Sequence, residues 1–96
     1  MAEIVYTDSY LRRVKKFIKK HPELISQYEK TLKLLEINPT HPSLRLHKLS
    51  GKLSELHSVS INISYRISVY FLINEDKIIP VDIGSHDEVY QKKNKD

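Results

Sequence analysis

Four side chains in this chain have the types that proton transfer at a phosphate requires: His47, Arg66, His86 and Tyr90. His47 sits in LHKLSGKLSEL, Arg66 in SYRISVYFL, and His86 and Tyr90 close the segment GSHDEVY, four residues apart. A histidine with a pKa near neutral can take the proton of a 2′-hydroxyl or deliver one to a leaving 5′-oxygen. A guanidinium stabilises the charge that grows on phosphorus, and a tyrosine can orient a phosphate or stack on a base. Together these are the parts of metal-free RNA cleavage. Each also has a plainer reading: His47 as a loop histidine, Arg66 as a solvated strand residue, His86 as a surface residue after a strand, and Tyr90 as packing at the rim of the core.

The charge around them is uneven. Between Arg45 and Arg66 the strong cations are Arg45, Lys48, Lys52 and Arg66, against the single carboxylate of Glu55. The whole-chain net charge of +4 and pI near 9.3 hide this local excess. A nucleic-acid backbone favours such a stretch because each neutralised phosphate releases counterions, so Arg45, Lys48 and Lys52 read as phosphate contacts.

Other chemistries fit poorly. There is no cysteine, which excludes disulfide-linked partners and thiolate chemistry. The histidines at 21, 41, 47, 57 and 86 show no HxH or HxxxH spacing, and Glu75, Asp76, Asp82, Asp87 and Glu88 form no recognisable cation loop, so no metal or cofactor is expected. Only two glycines are present, too few for a glycine-rich phosphate loop, and no strand-turn elbow singles out Ser60, Ser64 or Ser68 as a nucleophile. The absence of a long apolar run or a signal-like N-terminus points to a cytoplasmic protein with no membrane partner.

The elements that must position these residues follow from periodicity. At 96 residues and 40% hydrophobic content, the chain makes one domain with one core. We assign the domain to residues 1–90 and a frayed basic tail to 91–96, where no apolar residue occurs. Glu3 to Thr7 reads as a strand that ends where Thr7 or Asp8 can cap a helix. From Ser9 to Lys20, Leu11, Val14, Phe17 and Ile18 recur at helical spacing, and six lysines and arginines fill most of the remainder. That cationic surface is either a solvated face or a surface for RNA or an acidic partner. His21-Pro22 interrupts the helix, and a second runs from about Glu23 to Glu36 on the stripe Leu24, Ile25, Tyr28, Leu32 and Leu35. Thr40 to Leu46 reads as a loop or short extended segment.

Three further strands are predicted. Leu53 to Ile61 is the first, with Val59 and Ile61 on one parity and His57 sharing it. The second opens at Arg66, with Ile67, Val69, Phe71 and Ile73 on one face and Arg66, Ser68 and Tyr70 on the other. Asn74 to Lys77 is a turn, and the third strand sets Ile79, Val81 and Ile83 on one face, with Pro80 demanding an edge or an interrupted ladder. The order β-α-α-β-β-β predicts an α+β fold, an antiparallel sheet with a helical hairpin on one face and an open, polar, cationic surface on the other.

On LHKLSGKLSEL, SYRISVYFL and GSHDEVY, and in pattern over nearly the whole chain, the sequence resembles the RelE/ParE superfamily of type II toxins, and within it the YafQ-like branch. The resemblance implies a RelE-like β-α-α-β-β-β domain. It also implies a ribosome-dependent, metal-independent endoribonuclease that cuts mRNA and is held inactive by an acidic cognate antitoxin. By position, His47 matches a histidine of YafQ-like toxins, His86 their C-terminal catalytic histidine, Tyr90 their terminal aromatic, and Arg66 the arginine of the wider superfamily. YafQ-like toxins carry a further histidine and an aspartate at the connection between the second and third strands, where this chain has Ser60 and Ser64. The same scaffold also hosts ParE-like poisons of DNA gyrase, and a non-toxic remnant that only binds an antitoxin or RNA is a further alternative.

Overall fold

The computed structural model describes residues 2–49, 55–85 and 87–89. His86, Tyr90, Lys52 and the expected tail 91–96 lie outside them. The chain starts as a two-residue strand, β1 (Glu3–Ile4), shorter than the expected Glu3–Thr7 because Thr7 is already the cap of helix α1 (Asp8–Lys20). The Thr7 hydroxyl accepts from the Tyr10 N–H at 3.1 Å, satisfying one of the orphan donors of the first turn. Asp8 in the first turn and Lys19 and Lys20 in the last turn complement the helix dipole. At the far end the His21 N–H reaches back to the carbonyls of Phe17 (2.9 Å) and Ile18 (3.2 Å), and Pro22 opens a short 3-10 turn, Pro22–Leu24.

Helix α2 (Ile25–Ile37) follows. Its buried stripe is Tyr28, Thr31 and Leu35, not the wholly apolar one expected: Ile25 is exposed, and Thr31 is accepted inside because its hydroxyl donates to the Gln27 carbonyl at 2.8 Å. The two helices meet through the Tyr10 and Tyr28 hydroxyls, 2.9 Å apart. Burial pushes both phenols upward, Tyr28 to about 12.

The remaining strands are β2 (His47–Lys48), β3 (Leu56–Ser60), β4 (Tyr65–Leu72) and β5 (Lys77–Ser85), in the sheet order β1-β5-β4-β3-β2. β2 was not anticipated: two residues carry no readable alternation. The sheet is mixed where an antiparallel one was expected, because β1 lies parallel to β5. A parallel pair needs a long crossover, and everything from α1 to β4 serves as one here. In the last strand the expected phase holds only in part. A bulge between Ser68 and Val69 shifts the register, so that Val69 faces Pro80 while Ser68 faces Asp82. Ile78 and Pro80 are buried before the bulge and Ile83 after it, whereas Ile79 and Val81 are half-buried. Pro80 lies past the end of β1, on an uncovered stretch of edge where its missing N–H costs no ladder bond.

Tyr10, Phe17 and Leu35 of the helices pack with Val59, Ile67, Val69 and Ile78 of the sheet into the main core. The other face is not open throughout. Ser58 and Ser68 are fully buried on it, and Leu49 and Leu56 pack with Val81 into a second, smaller cluster.

Candidate functional site

Register alone brings the first candidate residues together. Ser60 pairs with Arg66, Ser58 with Ser68, and His47 of β2 with Ser58. Since faces alternate along a strand, His47, Ser58, Ser60, Arg66 and Ser68 share the face opposite Val59 and Ile67. Arg66 is held firmly there. Its Nε donates to Ser58 Oγ at 2.9 Å, and its Nη2 donates to the carbonyls of Arg45 at 2.8 Å and Ser58 at 3.3 Å. Arg45 presents that carbonyl from the left-handed region, φ 46°, where the chain leaves the 3-10 turn Pro42–Leu44 and enters β2. One guanidinium thus ties the segment before β2 to the centre of the sheet and fixes the strand that carries the exposed imidazole of His47. A forked cation in fixed geometry beside an accessible imidazole can bind a phosphate and move a proton next to it.

Lys48 belongs elsewhere. It pairs with His57, so its side chain leaves the sheet on the helix-covered side, away from His47. His57 lies there as its parity required, edge-on to Phe71 with ring centroids 5.1 Å apart. Its Nδ1 is buried with no hydrogen-bond partner among the described residues. Burial, then the charges of Lys48 and His47, hold its pKa below the ordinary 6.5. It lies on the face opposite the His47 and Arg66 side chains. Arg45 is exposed, and its carbonyl meets Arg66.

Ser60 and Ser64 shape the hairpin between β3 and β4. The Ser60 hydroxyl donates to the Asn62 carbonyl, and Asn62 Oδ1 accepts from the N–H groups of Ser64 (2.8 Å) and Tyr65 (2.9 Å). Asn62 Nδ2 also donates to Gln27 Oε1 at 3.0 Å, which pins the hairpin to α2. Ser58 escaped sequence reasoning. Its signal was a small polar residue alternating with Val59, in reach of a cross-strand arginine.

Before and after position 86 the chain forms a capping box. Ser85 Oγ accepts from the Glu88 N–H at 3.1 Å, and Glu88 Oε1 accepts from the Ser85 N–H at 3.0 Å. Gly84 leaves room for it, since a Cβ there would lie a tight 3.1 Å from Glu88 Oε1.

A second cationic region lies at the other edge of the sheet. Arg12, Arg13, Lys16, Lys19 and Lys20 of α1 line an open groove of about 870 Å³ against Asp82 and Glu88. Among the described residues, no three His, Cys, Asp or Glu side chains converge on a point where a metal would be held. No described helix is long and apolar enough to cross a membrane.

No family model and no curated protein sequence matches this chain. Solved structures do. YafQ from E. coli superposes with a TM-score of 0.75 at 13% identity, over 94% of this chain and 99% of that one. A metal-bound toxin from Helicobacter pylori gives 0.75 at 21% identity, over 94% and 100%. In the E. coli DinJ–YafQ toxin–antitoxin complex the matching chain gives 0.73 at 15% identity, over 93% and 97%. The chain shares the fold of these toxins over 93–94% of its length.

Proposed function

We propose that this chain is the toxin of a toxin–antitoxin pair and acts as a metal-independent endoribonuclease on mRNA at the ribosome. The observation that carries this reading is the placing of His47 and Arg66 on one face of β2–β3–β4 within a fold shared over 94% of the chain with YafQ. In the proposed reaction, Arg66, oriented by Ser58 and the Arg45 carbonyl, faces the scissile phosphate and stabilises the charge that develops on it. His47 and His86 share the proton transfers, one taking the 2′-hydroxyl proton and the other protonating the leaving 5′-oxygen. Tyr90 orients the phosphate or stacks on a neighbouring base, and Arg45 and Lys52 hold the flanking backbone. The roles of His86 and Tyr90 rest on residue type and the family resemblance, and that of Lys52 on the local excess of cations between Arg45 and Arg66. The natural partner is an acidic antitoxin, in keeping with the complexes that structural neighbours form.

The test is inducible expression, comparing the natural chain with His47→Ala, Arg66→Ala, His86→Ala and Tyr90→Ala, with primer extension on a reporter mRNA. Growth arrest with in-frame cuts, lost in the variants, is the expected outcome. Arrest without cuts, together with inhibited supercoiling by gyrase, would replace the nuclease with a ParE-like activity. No arrest would leave a binding remnant.

A further inference from the structure

Among the described residues, one aromatic ring stands on the sheet face that carries Arg66 and His47, and the proposed chemistry does not use it: Tyr70. Strand parity puts it there. Arg66, Ser68 and Tyr70 alternate with Ile67, Val69 and Phe71 along β4, so the first three share the reverse face while the second three pack towards the helices. Tyr70 is 38% exposed, although Ser68, two residues before it, has no exposed surface. The other described tyrosines are engaged. Tyr10 and Tyr28 join hydroxyls, Tyr6 leans on Tyr10, and Tyr65 packs edge-on against Phe17. Tyr70 makes no hydrogen bond and no ring contact among the described residues.

Strand pairing arranges the reverse face in rows. Across β3, β4 and β5 the first row is Ser60, Arg66 and Gly84. The second holds Ser58 and Ser68, continued in β2 by His47. The third is Leu56, Tyr70 and Ile79. Charge therefore lies at one end of the face and apolar surface at the other, with small hydroxyls between. Leu56 and Ile79 flank the ring at cross-strand distance and bring neither charge nor a second ring. Leu56 is buried, so the accessible surface is the ring itself. Arg66 and Tyr70 lie four residues apart on one strand, about 13 Å. That is too far for a phosphate and the base of its own nucleotide, and within reach of a base further along an extended strand.

We infer that Tyr70 is the stacking platform for an RNA base outside the scissile pair. The reverse face then takes a single-stranded segment lengthwise, with a phosphate at the Arg66 end and a splayed base on the ring. An open aromatic on a sheet suits single-stranded RNA, whose unstacked bases lie on such rings while cations follow the backbone. A duplex fits badly, because its bases are already stacked on one another. A protein partner fits less well too, since one exposed ring falls far short of the about 800 Å² per partner that a stable interface buries. The inference rests on the toxin reading only for mRNA as the source of the strand.

The experiment measures binding of short single-stranded oligoribonucleotides to the full chain by fluorescence anisotropy. The strands carry 2′-fluoro sugars, which lack the attacking hydroxyl, and an abasic residue is moved along them one position at a time. Tyr70→Ala should bind about tenfold more weakly, and Tyr70→Phe as tightly as the natural chain, since stacking uses the ring and not the hydroxyl. In the natural chain one abasic position should cost the same factor of about ten, and in Tyr70→Ala that position should cost nothing further. Thermal unfolding of Tyr70→Ala should be unchanged, which separates the effect from loss of fold. Equal binding by Tyr70→Ala would overturn the inference, as would abasic losses that add to it in full at every position, or no RNA binding by the natural chain. A peptide that binds in dependence on Tyr70, where RNA does not, would reassign the ring to a protein partner. Binding with the expected signature but no cutting of mRNA on ribosomes would sink the nuclease and leave the platform. Cutting that Tyr70→Ala leaves unchanged in rate and position would sink the platform and leave the nuclease.

Discussion

The two faces of the sheet are built from the same strands and do opposite things. Towards the helices β3 and β4 present Val59, Ile67 and Val69, each with no exposed surface, against Tyr10 and Leu35. On the reverse face the same strands present Ser58, Ser68 and Arg66, with Leu49, Leu56 and Val81 as a small apolar patch beside them. The first face gains stability from apolar burial. The second buries hydroxyls, one of which, Ser68 Oγ, has no hydrogen-bond partner among the described residues. Such a face stabilises little and instead holds a guanidinium in fixed orientation. The contrast separates what keeps this protein folded from what positions the proposed site.

The comparison can be broken from either side. Ile67→Ala on the helix-covered face should cost the most, about 2–5 kcal/mol, through lost burial and the cavity left behind. Urea denaturation should show it, while under the proposed function the fraction that remains folded should cut mRNA as before. If cleavage fell with the folded fraction held constant, the two faces would not be separable.

Arg66 should behave in the reverse way. Arg66→Ala removes three hydrogen bonds from a charged donor, and we expect about 1.5–3 kcal/mol of destabilisation together with loss of RNA cleavage. Arg66→Lys keeps the charge but cannot reach Ser58 and Arg45 at once. Its stability should recover only in part, and its activity not at all. Full recovery by lysine would reduce Arg66 to a point charge.

The smallest effect concerns His57, which pairs across the ladder with Lys48 on the stable face. Its pKa is lowered in the folded protein, so below the ordinary value of 6.5 the unfolded chain binds more protons than the native one. Stability should therefore fall modestly as pH drops from 6.5 towards the native pKa, and level off below that. His57→Gln should flatten this slope in thermal melts between neutral and mildly acid pH, without altering the pH dependence of cleavage. A changed cleavage profile would place His57 in the catalytic apparatus.

Much of the fold was legible in the residues. The helical periodicity of Val14, Phe17 and Ile18, the His21-Pro22 break, the alternation of Ile67, Val69 and Phe71, and the buried parity of His57 are local patterns, and local patterns survive into the structure. The candidate site was legible only as a set of residue types. That His47 and Arg66 share a face depends on the pairing of β2 with β3 and of β3 with β4, and a two-residue strand announces neither its existence nor its register. The same holds for the phase of β5, where one bulge moved Ile79 and Val81 off the core.

Charge shows the division most clearly. The sequence by itself determined how many cations the chain carries and that they crowd α1 and the stretch from Arg45 to Arg66, since these are matters of composition and of neighbours along the chain. Only the tertiary structure decided how each is used. Arg66 is bound to Ser58 and Arg45, Arg13 is bound to Asp82, and Arg12, Lys16, Lys19 and Lys20 face solvent along a groove. The physical reason is that a partner for a side chain is supplied by long-range pairing and packing, which bring together residues 21 positions apart in one case and 69 in another.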